Sequence, residues 1–141
     1  MKVVFICRRN RFRSQIAEGL LNHLVKDSSY AISAGIDTLP EERGVLFCEY
    51  KNDKVKNTLE AMKNHGIDIF QKYAKKITPE MLADADKIIF LTDNEEKIPD
   101  WLLKYPYERW RTENFPGAPT LEKSEEVIQV LKNKIKNIVE D

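Results

Sequence analysis

Residues 3–18 read VVFICRRNRFRSQIAE: an apolar run, a polar turn, and the start of an amphipathic stripe. Val3-Val4-Phe5-Ile6 is short, continuous and rich in β-branched residues, which suits a strand buried on both faces of a parallel sheet. From Ser14 onward, Ile16, Ala17, Leu20, Leu21, Leu24 and Val25 recur at helical spacing, so this segment packs one face on a core. Residues 8–13 therefore form a loop at a helix N-terminus. There the backbone N–H groups point inward and the helix dipole favours an anion, which predicts a phosphate-binding loop after the first strand.

The side chains of that loop carry the chemistry. Cys7 stands six positions before Arg13. A thiol at the mouth of an amide-lined loop, beside a guanidinium, is expected to ionise below its free value of about 8.5 and to be a thiolate at neutral pH. Arg13 offers a planar fork that grips two equatorial oxygens of a phosphoryl group. The implied reaction is displacement at phosphorus through a cysteinyl-phosphate. Arg8, Arg9, Arg11 and Arg13 make four arginines in six positions, which favours a multiply charged ligand and steers anions inward. The competing reading is a buried hydrophobic cysteine beside a solvated basic turn. Finding both residues at this spacing, between a strand and a helix, favours the chemical reading.

Strand and helix patterns alternate along the rest of the chain, which argues for a parallel sheet with right-handed crossovers. Tyr30 to Ser33 reads as strand two, ending at Ala34-Gly35, and residues 36–53 read as a long loop with some local structure. Val55, Leu59 and Met62 mark a helix that stops near Gly66, and Thr78 caps another begun by Pro79 and Glu80. Ile88 to Leu91 reads as strand three. A short helix near Asp100 to Lys104 leads to a weak fourth strand near Arg109 to Thr112, and a final helix covers about 122–139. His23 and His65 fall on helices with no Cys or carboxylate at metal-ligand spacing and read as surface residues. Cys48, in Val45-Leu46-Phe47-Cys48, reads as a packed hydrophobe, and Asp93 as the cap of the helix that follows it.

The 141 residues suit one domain with an adequate core, at 42% hydrophobic and 33% charged residues. A formal net charge of zero gives no general affinity for nucleic acid. No apolar stretch approaches the roughly 20 residues of a membrane span, and Lys2 is followed by too short an apolar run for a secretory signal. Two cysteines, one of them a candidate nucleophile, fit a reducing cytoplasm. No cofactor and no metal are expected.

Cys-x5-Arg-Ser followed by x-Ile-Ala-Glu, a few residues from the N-terminus, resembles the low-molecular-weight protein tyrosine phosphatases and their arsenate-reductase relatives. Asn10, Ser33-Ala34-Gly35, Gly66-Ile67-Asp68, Thr78 to Leu82, Ala85-Asp86 and Lys87 to Leu91 extend the likeness along the chain. The resemblance implies a single three-layer α/β domain over residues 1–141, a four-stranded parallel sheet flanked by helices. It implies Cys7 as nucleophile, Arg13 as the phosphate-gripping arginine and Ser14 as the hydroxyl that hydrogen-bonds the thiolate. Asn10 would hold the loop in shape, and Arg8, Arg9, Asn10, Arg11 and Phe12 would surround the substrate. The ligand implied is a phosphorylated protein or small aryl phosphate, with phosphate or another oxyanion in the loop.

Departures from the family pattern bear on activity. Arg9 replaces a Gly, Phe12 a second Cys, and Gln15 a Pro. Where the phosphatases place an Asp-Pro pair that protonates the leaving group, this chain reads Trp110-Arg111-Thr112-Glu113-Asn114-Phe115-Pro116, so Phe115 occupies the acid's slot. General acid help is worth roughly 100- to 10,000-fold. Glu113, two residues upstream, is the candidate replacement. Three functions compete: a phosphomonoesterase; an arsenate reductase that relies on an external thiol, because residues 75–100 contain no cysteine; and a phosphate-binding relative without turnover.

Overall fold

The computed structural model describes residues 1–50, 53–92, 98–111 and 120–140, with the side chains of residues 53, 54 and 140 left aside. Strand β1, Lys2–Cys7, is buried along all but its first residue, as its unbroken apolar run requires. Helix α1, Arg13–Leu24, begins six residues past the strand's end. Then come β2 (Tyr30–Gly35), α2 (Asp53–Asn64), β3 (Lys87–Phe90), α3 (Asp100–Leu103), β4 (Glu108–Arg109) and α4 (Leu121–Glu140).

The four strands are parallel and lie in the order β2-β1-β3-β4. Alternation along each strand sorts side chains into two cores. Val3, Phe5, Cys7, Ile89 and Leu91 join α1, α2 and α4 on one face. Val4, Ile6, Ile88 and Phe90 join Ile77, Leu82 and Leu102 on the other. The result is three layers. Because β2 and β3 flank β1 on opposite sides, the chain reverses its direction of travel across the sheet at the carboxyl end of β1. Crevices for ligands open at such a point in α/β sheets, and Cys7 is the residue that stands there.

Helix α2 ends as its Gly66 predicts. Gly66 has φ +77, its N–H bonds to Lys63 O at 2.9 Å, and Ile67 N–H reaches Met62 O at 3.0 Å, a six-to-one closure that ends the helix. Other elements depart from the sequence reading. Thr78 precedes only a 3₁₀ turn, Pro79–Leu82, and its side chain makes no capping bond. The fourth strand is two residues long and earlier than expected, because its edge pairing with β3 joins Ile89 to Glu108 and Phe90 to Arg109. Cys48 is exposed rather than packed: in the 3₁₀ turn Phe47–Glu49 it is Phe47, 1% exposed, that enters the core. His65 lies one residue beyond α2 and is half-buried, with Nε2 at 2.7 Å from Glu125 Oε1 on α4. Asp93 lies outside the described residues, as does Thr112 of the expected fourth strand. No helix among the described residues is long and apolar enough to cross a membrane.

Candidate active site

The backbone after β1 keeps its ladder for two more residues. Ile36 N–H donates to Cys7 O at 2.9 Å and Asp37 N–H to Arg8 O at 2.8 Å. Gly35 makes this approach possible, since a Cβ there would meet Arg8 O at 2.9 Å and the carbonyl carbon of Arg9 at 3.0 Å. The loop then folds back on its own sulfur. Asn10 adopts φ +55, a left-handed conformation that asparagine tolerates, and this aims its backbone N–H at Cys7 Sγ, 3.2 Å away. Ser14 Oγ lies 2.9 Å from the same sulfur. Cys7 is 3% exposed.

Asn10, fully buried, is the hub of this arrangement. Its Oδ1 accepts the N–H of Lys75 at 2.9 Å. A backbone N–H can only donate, so the carboxamide has one orientation, with Nδ2 facing the two serines. Nδ2 donates to Ser14 Oγ at 2.8 Å and to Ser33 Oγ at 3.0 Å. Ser33, its oxygen so engaged, gives its own hydroxyl to Glu18 Oε1 at 3.3 Å. By the same logic Ser14 has its O–H to give to the sulfur. Glu18 is buried, and Lys72 Nζ sits 3.6 Å from its Oε2. Gln15, also buried, sends Nε2 toward Asn10 Oδ1, Asn10 O and Tyr73 O. The Lys75 ammonium is drawn below the usual lysine range, chiefly by burial, with Glu18 opposing and Lys72 adding to the shift.

The four arginines divide. Arg13 opens α1 and is 8% exposed, with Nη1 buried. The other three lean outward onto the segment after β2. Arg9 Nη1 donates to Asp37 O at 2.7 Å, and Arg8 and Arg9 share the Asp37 carboxylate at 3.8 and 3.4 Å. Arg11 Nη1 donates to both oxygens of Glu42, at 3.1 and 2.8 Å. The cationic turn expected from sequence is thus partly neutralised by two carboxylates of the neighbouring loop. Tyr50 stands behind Glu42, and its phenol is pushed up to about 12, first by burial and then by Glu42, with Arg11 opposing. Phe12 occupies the N-cap position of α1 and packs on the core.

Cys7, Asn10 and Ser14 are therefore gathered at one point and Arg13 is buried at the start of α1, whereas the candidate acid Glu113 and Phe115 lie outside the described residues. Sequence reasoning missed Glu18, Lys72 and Lys75. Glu18 did leave a trace, because it lies four residues after Ser14 on the buried side of α1. Lys72 and Lys75 left none, since their roles arise only when the chain returns.

Comparison with known proteins follows the same lines. A family model described as low molecular weight phosphotyrosine protein phosphatase matches residues 2–105. A glutaredoxin arsenate reductase of Synechocystis is 29% identical over 140 residues, covering 98% of this chain and 95% of that protein. An arsenate reductase solved in the phosphate binding state superposes with TM-score 0.74 at 26% identity, over 99% of this chain and 96% of that one. A low molecular weight protein tyrosine phosphatase from T. tengcongensis superposes with TM-score 0.71 at 25% identity, over 99% and 98%.

Proposed function

The chain belongs to the low molecular weight phosphotyrosine protein phosphatase family, and on that premise we propose that it is a phosphomonoesterase that passes the phosphoryl group of an aryl phosphate, phosphotyrosine included, to Cys7 and then to water. The observation that carries this reading is the sulfur of Cys7, held at the carboxyl end of β1 by the Asn10 N–H and Ser14 Oγ. The thiolate attacks phosphorus in line. The S–P bond forms as the P–O bond to the aryl group breaks, and the electron pair leaves with the aryl oxygen. Arg13 and the loop amides take the charge on the equatorial oxygens. Water then attacks the cysteinyl-phosphate, releasing inorganic phosphate and returning the electron pair to sulfur, while Ser14 donates to the departing thiolate.

With Phe115 in the slot where the family places its acid, the leaving oxygen departs without full proton assistance. Hydrolysis of p-nitrophenyl phosphate, abolished in Cys7→Ser, tests the reading. The rate is expected to depend steeply on leaving-group pKa, with p-nitrophenyl phosphate far ahead of phosphotyrosine. Equal rates on the two would mean that a proton donor, with Glu113 the first candidate, reaches the leaving oxygen.

A second reading is favoured by the arsenate reductases among the similar proteins. Cys7 displaces water from arsenate to form a thioester of arsenic. A low-molecular-weight thiol then attacks the sulfur, arsenite leaves with the electron pair as arsenic(V) becomes arsenic(III), and a second thiol reduces the mixed disulfide. The external thiol is invoked because residues 75–100 contain no cysteine to relay a disulfide. Production of arsenite from arsenate with glutathione, at a rate exceeding phosphate ester hydrolysis, would put this reading first. Tight phosphate binding with neither activity would leave a binding protein.

A further inference from the structure

We infer that Gln15 is a positioning residue for the nucleophile: by holding the Asn10 carboxamide it fixes the direction in which Ser14 offers its hydroxyl to Cys7. The inference rests on the reading of Cys7 as a nucleophile. Gln15 Nε2 lies 3.1 Å from Asn10 Oδ1, 3.2 Å from Asn10 O and 3.1 Å from Tyr73 O. Three acceptors surround that end of the side chain, so it must be the nitrogen, and its two hydrogens serve all three oxygens. The other end, Oε1, is buried without a hydrogen-bond partner among the described residues. A residue placed only to fill space would be apolar here and would avoid that cost. The amide is oriented for what its nitrogen does to Asn10 and the 73–75 backbone.

The consequence passes along donors and acceptors. Asn10 Oδ1 is held by Lys75 N–H on one side and Gln15 on the other, which directs Nδ2 at Ser14 and Ser33. Engaged by that N–H, Ser14 gives its single hydrogen to the sulfur. Without Gln15 the carboxamide oxygen keeps only the Lys75 anchor, Nδ2 can swing off Ser14, and Ser14 loses the donor that turns its hydrogen to the sulfur. The device costs no charge. Arg13 and Glu18 on α1, Lys72 and Lys75 behind the loop, and Arg8, Arg9 and Arg11 with their partners Asp37 and Glu42 on the rim all stay in place when Gln15 is replaced by another neutral side chain.

The test is alkylation of Cys7 by iodoacetamide against pH in the full chain, in a Cys48→Ser background because Cys48 is exposed. Gln15→Met, close in size but without a donor, is expected to raise the pH of half-maximal alkylation by about half a unit or more, with inorganic phosphate affinity within about twofold. In a Ser14→Ala background the same substitution is expected to move the midpoint no further, because the group through which it acts is gone. An unchanged midpoint in Gln15→Met, or an equal shift with and without Ser14, overturns the inference. If Gln15→Met is unfolded at the assay temperature, Gln15→Asn, whose amide is one methylene short, is read the same way. Failure of the wild type to hydrolyse p-nitrophenyl phosphate strikes at the enzymatic reading alone, since alkylation needs no turnover.

Discussion

The two sides of the loop between Cys7 and Arg13 are built on opposite physical principles. On the inner side, Asn10, Ser14 and Gln15 are fully buried and speak to one another through neutral hydrogen bonds of defined direction. On the outer side, Arg8, Arg9 and Arg11 meet Asp37 and Glu42 in ion pairs at least partly open to solvent. More charged side chains stand outside, yet exposed pairs are worth only about 0–1 kcal/mol because water and salt screen them. The inner bonds have no water to fall back on, so each group left without a partner costs about 1–3 kcal/mol. The chemistry therefore depends on the quieter side. The arginine-rich rim fastens the loop to residues 36–44 and leaves a modest positive field, since Arg8 and Arg9 share one carboxylate.

This contrast can be broken or sharpened by substitution. Cys7→Ser gives the largest effect: ester hydrolysis falls at least about a thousandfold with phosphate affinity retained, and residual turnover near wild type would place the nucleophile elsewhere. Asn10→Ala comes next. It removes the inner hub and puts a Cβ residue with no side-chain compensation at φ +55, for a loss of about 2–4 kcal/mol in urea unfolding together with a marked fall in kcat. A variant as stable as wild type would show that the buried bonds do not hold the loop. Gly35→Ala presses a methyl group onto the Arg8 carbonyl and is expected to cost about 1–3 kcal/mol, with the damage appearing more in kcat than in KM.

On the outer side the numbers shrink. Glu42→Gln frees Arg11 and is expected to change stability by no more than about 1 kcal/mol, with kcat/KM within about threefold and any difference shrinking at high salt. A tenfold loss that ignores ionic strength would move Glu42 into the inner class. The smallest effect at neutral pH is that of Tyr50. Its phenol is raised to about 12 by burial and Glu42, so the neutral form is favoured by folding. That contribution is complete below the unfolded value near 10 and is lost as pH climbs through about 12. Ultraviolet titration should show a late-ionising component that disappears in Tyr50→Phe, while stability at pH 7 reports only the lost packing and weak hydrogen bond.

What the sequence discloses about this molecule follows the range of the forces involved. The break between β1 and α1 is legible because the hydrophobic period changes at Cys7, and Gly66 marks the end of α2 by its own backbone preference. The fourth strand is misplaced by a few residues because two residues of edge pairing carry no period of their own. Cys48 is exposed where a packed residue is expected, and Phe47 is the buried one, because a 3₁₀ turn gives no stripe from which to choose. At the site, Cys7, Asn10, Arg13 and Ser14 are visible as a motif. Gln15 is visible only as a departure from the family pattern, and its function needs Tyr73 O, 58 residues away.

The tie between Asn10 and Lys75 spans 65 residues, and it sets the order in which this molecule matures. A growing or truncated chain that ends before residue 72 already holds every residue of the loop, the first strand and the first helix. It lacks the returning backbone that orients the carboxamide, and closing so long a segment comes late relative to local helix formation. The hydrogen-bond network around the sulfur thus closes after secondary structure. In a refolding time course, pulse alkylation of Cys7 in the native manner should trail the recovery of helical circular dichroism.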